Sequence, residues 1–156
     1  MGRESRRSNK VAVMPHLVLY DGVCGLCDRF VQFLLRIDRQ DRLRFAALQG
    51  EIGSGILDAA GRAAEPLSTV IVVADHGTEA ARLLERSDAA LFAIAATGGL
   101  WRGVTVFRLV PGFIRDAVYN FVARIRYRVF GRFDSCPVPS QATRAKFLDF
   151  PARAKR

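Results

Sequence analysis

Cysteine is scarce in this chain: there are three in 156 residues, two of them three positions apart and the third alone near the end. Three are too few for a disulfide-stapled scaffold, and a chain of this length buries enough apolar surface to fold without staples. Long apolar runs are missing as well. The longest, Val70 to Ala74 and Ala89 to Ala96, fall far short of the roughly 18 residues that suggest a membrane span, and they read as a buried strand and a buried helix. The basic opening MGRESRRSNK leads into an apolar stretch broken at Met14-Pro15-His16 and again at Asp21, which is not the layout of a secretory signal. Neither internal repeats, zinc-finger spacing nor RNA-binding aromatic motifs are found, so nucleic acid is not an expected partner. The expectation is a cytoplasmic protein without a transmembrane segment. In that compartment thiols stay reduced, and a close cysteine pair serves catalysis or metal binding more often than structure.

Acidic residues are outnumbered, 15 against 24 basic ones, for a net charge of +9. Much of the excess lies at the ends: Arg3, Arg6, Arg7 and Lys10 in front, and Arg144, Lys146, Arg153, Lys155 and Arg156 behind. Such clusters read as solvated ends. They divide the chain into a flexible basic lead-in over 1–15, one domain over 16–137 and a basic tail over 138–156.

His16-Leu17-Val18-Leu19-Tyr20 is a short β-prone run closed by Asp21-Gly22. Residues 25–38 fit an amphipathic helix, with Phe30, Val31, Leu34, Leu35 and Ile37 on one broad face. Arg42 to Leu48 reads as a second strand, Ile52 to Arg62 as a helix weakened by Gly53 and Gly55, and Thr69 to Ala74 as a central strand apolar on both faces. Asp75-His76-Gly77 turns the chain, and Thr78 to Leu84 returns antiparallel. Ser87 is placed to cap a helix running to Ala96, which stops at Gly98-Gly99. After a linking segment, Leu100 to Val110, a last long helix opens at Pro111-Gly112 and ends at Gly131. Its apolar face is Ile114, Val118, Phe121, Val122, Ile125 and Val129, and Arg115, Arg124, Arg126 and Arg128 extend from it. The expected class is α/β, a thioredoxin-like central sheet flanked by helices with an extra C-terminal helix.

The chemistry lies in Tyr20-Asp21-Gly22-Val23-Cys24-Gly25-Leu26-Cys27-Asp28. A bare C-x-x-C serves zinc ribbons, clusters and redox pairs alike. Here it follows the first strand and opens the first helix, where the positive helix end stabilises a thiolate, the reacting form of cysteine. Two intervening residues keep both sulfurs within one turn. The redox reading further expects Cys24 to be open to water.

These residues resemble the DCC family of thiol-disulfide oxidoreductases, named for D-x-x-C-x-x-C, here Asp21, Cys24 and Cys27. The resemblance covers roughly residues 17–137. It includes Ser87-Asp88-Ala89, the segment Arg115-Asp116-Ala117-Val118-Tyr119 to Arg124, Arg126-Tyr127, Phe130-Gly131-Arg132 and the late Cys136. It implies a thioredoxin-like fold and dithiol–disulfide exchange with protein or small-molecule thiols and disulfides, and it implies no cofactor. By matching, Cys24 is the nucleophile, Cys27 the resolving thiol and Asp21 a group that orients water or moves a proton. For Asp21 the alternative is a turn residue bonding its own loop. Tyr20 and Ser68 are assigned to the substrate side. Thioredoxins place a cis-proline before the third strand, whereas Pro66 lies three residues ahead of Thr69 and Ser68 takes the equivalent position. Two other functions stay open: a zinc or cluster module using Cys24, Cys27 and Cys136 with His16 or His76, and an arginine-rich interaction domain on a thioredoxin-like scaffold.

Overall fold

Period-two alternation in the first strand decides the layering. In β1 (His16–Tyr20), Val18 and Tyr20 face one side of the sheet while Leu17 and Leu19 face the other. All four are buried, so both faces must be covered. The computed structural model describes residues 15–62, 69–135 and 137–149. Its elements follow as α1 (Gly25–Ile37), β2 (Leu43–Ala47), α2 (Glu51–Ala59), β3 (Ile71–Ala74), β4 (Arg82–Glu85), α3 (Arg86–Ala96), a 3-10 segment (Gly99–Leu109), α4 (Gly112–Phe130) and a short 3-10 turn (Arg144–Lys146).

The sheet order is β2-β1-β3-β4. β1 and β2 run parallel, from His16 opposite Leu43 to Tyr20 opposite Ala47. β3 is antiparallel to β1, with Leu17 opposite Val73, and β4 is antiparallel to β3. This is the α/β, thioredoxin-like arrangement expected from the order of elements. On one face, Val18, Phe45 and Val72 pack with Val31 and Leu34 of α1 and Ala89 and Ala93 of α3. On the other, Leu17, Leu19, Ile71 and Val73 pack with Leu57 of α2. Each fully buried leucine contributes about 1.5–3 kcal/mol through the apolar area it removes from water. Among the described residues, no helix is long and apolar enough to cross a membrane.

Three local expectations are corrected. Ser87 does not cap α3: the helix starts at Arg86, Glu85 stands at the cap position, and the Ser87 hydroxyl donates to Asp116 of α4 at 2.8 Å. The face of α4 assigned as apolar points largely to solvent, with Ile114, Val118, Phe121 and Val129 exposed. Polar contacts hold the helix instead. Tyr119 accepts the Val70 N–H at 2.8 Å, Arg115 donates to Asp88 at 2.7 Å, and Asp116 receives Ser87. The third correction follows: Arg126 does not extend into solvent but is the buried residue of α4.

Near the end of the chain, Phe147 packs between Tyr20 and Phe45, and the Leu148 N–H donates to the Phe45 carbonyl at 2.9 Å. Asp149 accepts the Ala47 N–H at 2.6 Å, and Lys146 pairs with Asp38 at 2.9 Å. The positively charged residues of this stretch thus include one that anchors chain to core.

Candidate active site

The turn after β1 sets the site. Asp21 bends the backbone by accepting the Val23 N–H on Oδ1 at 3.1 Å, an Asx turn that delivers Cys24 to the start of α1. Cys24 stands at the cap position with extended backbone, and Cys27 lies in the first turn. Both are free thiols.

The far end of α4 closes over them. The Gly25 N–H donates to the Gly131 carbonyl at 3.2 Å, and the Phe133 N–H donates to the Val23 carbonyl at 2.7 Å. Cys24 and Arg132 form an antiparallel bridge between the two segments. A side chain at position 25 would stand 2.2 Å from the Phe130 carbonyl oxygen, so only glycine allows the approach. Donors at the start of α1 thereby meet acceptors at the end of α4, opposite ends of two helix dipoles.

This contact overturns the expectation of an open sulfur. Cys24 is 0% exposed and Cys27 4%, because residues 131–133 strap across the loop. Burial, and then the neighbouring Cys24, push the Cys27 thiol up from 9.0 to about 12, although the Arg126 guanidinium pulls the other way. The lowering expected from the helix end therefore does not prevail at Cys27.

Beneath the strap lies a polar group that the sequence reading did not assemble. Arg126 is 3% exposed and Asp21 1%, and they form an ion pair, Nη2 to Oδ2, at 2.9 Å. Arg126 Nη1 donates to Cys27 Sγ at 3.3 Å. The Tyr127 hydroxyl donates to Asp21 Oδ2 and accepts from Arg126 Nη2 at 2.9 Å. Gln49 Nε2 donates to Asp21 Oδ1 at 2.7 Å, and Gln49 Oε1 accepts the Gly22 N–H at 3.0 Å. Burial acts against the Arg126 charge, but Cys27, Cys24, Tyr127 and Asp21 outweigh it and hold its pKa above the ordinary guanidinium value. Tyr127 is raised from 10.0 to about 12, first by burial and then by its bond to Asp21. Asp21 Oδ1 serves the turn, and Oδ2 pairs with the guanidinium that touches Cys27.

A family model described as DCC1-like thiol-disulfide oxidoreductase matches residues 18–132, a span that takes in the whole of this network. The chain belongs to that family. It is 33% identical over 132 residues to the uncharacterized protein YuxK of Bacillus subtilis (strain 168), a match covering 85% of this chain and 93% of that protein. It is 38% identical over 121 residues to a chloroplastic DCC family protein of Arabidopsis thaliana, covering 77% of this chain and 67% of that one. No solved structure matches the chain.

In this DCC1-like chain, then, Asp21, Cys24 and Cys27 come together as the motif suggests. Tyr20 faces the core, buried and edge-on to Phe147. Ser68, Pro66 and Cys136 lie outside the described residues. Among the described residues, no group of three or more His, Cys, Asp and Glu is arranged to hold a metal. His16 Nδ1 is engaged, accepting the Asp75 N–H at 3.0 Å, and burial lowers the pKa of its ring. Arg126, Tyr127 and Gln49 were missed as site residues. One signal was available for Arg126: it shares the helix stripe of Tyr119, Val122 and Ala123, where a residue must face inward.

Proposed function

We propose that this chain carries out dithiol–disulfide exchange through Cys24 and Cys27. The observation that carries this reading is the pair of free thiols at the start of α1 with a buried guanidinium 3.3 Å from one sulfur. The family description supports the general activity. In the reductive direction one thiolate, Cys24, attacks a substrate disulfide, forms a mixed disulfide and releases the first substrate thiol. Cys27 then attacks the Cys24 sulfur, releases the second thiol and leaves a Cys24–Cys27 disulfide. Two electrons and two protons pass to the substrate. Arg126 favours the thiolate at Cys27 through its Nη1 bond, and Asp21 holds Arg126 in position. Because both sulfurs are enclosed, a protein substrate requires separation of residues 131–133 from the loop at 23–25. Substrates on this reading are protein or small-molecule disulfides and thiols, and we place the activity in the cytoplasm, where such pairs are kept reduced.

The test is reduction of an exposed protein disulfide, with stoichiometric turnover followed by mass spectrometry. The wild-type chain should lose two hydrogens as a Cys24–Cys27 disulfide forms, and Cys24→Ser and Cys27→Ser should each abolish complete turnover. Unchanged reduction by both variants would end this assignment.

A further inference from the structure

Among the described residues, the large apolar side chains left exposed lie between Leu100 and Phe133, with Val138 the single exception. Leu109 is 83% exposed and Phe113 76%, so these side chains project from the surface instead of lining a recess. On α4, Ile114, Val118, Phe121, Arg124 and Arg128 fall within about one third of the circumference. Tyr119 and Arg126 turn the other way, toward the core. Charge in this stretch has one sign. From residue 99 to 133 the only carboxylate is Asp116, and it accepts the Ser87 hydroxyl. Arg115 and Arg126 are paired with Asp88 and Asp21. Arg108, Arg124 and Arg128 are exposed and make no ion pair among the described residues.

Exposed apolar side chains clustered on one helix face and interleaved with charge mark an interaction surface, and the charge selects the partner. A second copy would set these arginines against the same arginines, with no free carboxylate between them. Nucleic acid would meet the guanidinium groups but leave leucine, isoleucine and valine against its charged backbone. An acidic protein would need a recess for each projecting tip. A bilayer needs none, because its acyl chains are fluid. Its anionic headgroups lie at the level that arginine reaches when neighbouring apolar side chains enter the acyl region. Among the described residues no helix crosses a membrane, so the contact is with the surface. We infer that the exposed side of α4, with the segment leading into it, docks this chain on anionic lipid bilayers. Leu109, Phe113 and Phe121 enter the acyl region, and Arg108, Arg124 and Arg128 lie among the headgroups. The inference stands apart from the exchange activity proposed above.

Sedimentation with lipid vesicles tests the surface. The full chain should pellet with vesicles of equal parts phosphatidylcholine and phosphatidylserine, and bind phosphatidylcholine alone at least about tenfold more weakly. The basic ends of the chain also attract anionic vesicles, so the deciding variants keep every charge. Leu109→Ser, Phe113→Ser and Phe121→Ser together should lower affinity for the anionic vesicles at least about tenfold. All three side chains are exposed, so the fold should hold, and circular dichroism checks it. Phe113→Ser alone takes their place if the triple variant does not fold. Trp101 is the only tryptophan. In a Trp101→Phe, Phe121→Trp chain the one indole stands on the α4 stripe, and its emission should move to shorter wavelength when anionic vesicles are added. No pelleting with anionic vesicles, equal affinity of the wild-type and serine chains, or an unmoved emission would overturn the inference. So would self-association of the wild-type chain that the serine variant loses, without vesicle binding, since the face would then belong to a second copy.

Discussion

A guanidinium enclosed in a core needs acceptors, and the two terminal nitrogens of Arg126 find Asp21, Tyr127 and Cys27. The cost of losing it falls mainly on its partner. Arg126→Ala leaves the Asp21 carboxylate buried without its counter-charge, a defect worth about 3–5 kcal/mol. Urea unfolding should register that loss, and Arg126→Lys should recover only part of it, because one ammonium cannot reproduce the forked contact to Asp21 and Cys27. A loss below about 1 kcal/mol in the alanine variant, the range of a surface pair, would show that this ion pair is not enclosed. In the sequence Arg126 looks like its neighbours Arg124 and Arg128, both exposed. Its difference comes from the angle at which α4 meets α1, which residue type does not encode.

The junction of α1 with the end of α4 depends on one missing side chain. Gly25→Ala forces a methyl carbon against the Phe130 carbonyl, which belongs to backbone and cannot swing aside. The helix ends must then separate, at about 1–3 kcal/mol as for other overpacked sites. Two measurements should change together: the urea midpoint falls, and Cys24 alkylates faster as residues 131–133 lift. Slower or equal labelling of Cys24 with reduced stability would mean that the strap is not what shields it. The regular elements themselves were legible, because apolar periods of two and near four residues are local properties. The β1–α1–β2 order and the antiparallel β3–β4 pair could be read directly, as could α4 between Pro111 and Gly131. The orientation of α4 could not. Its strongest apolar stripe is exposed, and polar contacts to Cys27 of α1, to Val70 and to α3 decide which face turns inward.

Stability of the whole domain should depend on alkaline pH with a defined sign. Folding raises Cys27 from 9.0 to about 12 and Tyr127 from 10.0 to about 12. Both groups are neutral in the fold at pH values where the unfolded chain has already released their protons. Their contribution is therefore complete below about pH 9 and declines as pH rises toward 12. Thermal unfolding between pH 8 and 11 should show a falling midpoint. Tyr127→Phe should flatten the upper part of that decline, and Cys27→Ala the lower part. A midpoint that stays level over this range would mean that the two groups titrate alike in both states.

Taken alone, the amino-acid order determined the strands and helices, the sheet they make, and the presence of two cysteines and an aspartate at one strand–helix turn. Hydrophobic period and turn chemistry act between residues close in the chain, so they can be read along it. Tertiary structure alone decided that the sulfurs are covered, that Arg126 rather than solvent faces Cys27, and that the apolar stripe of α4 stays exposed. Asp21 and Arg126 are 105 positions apart, and burial is a sum over such distant neighbours, which no local pattern contains.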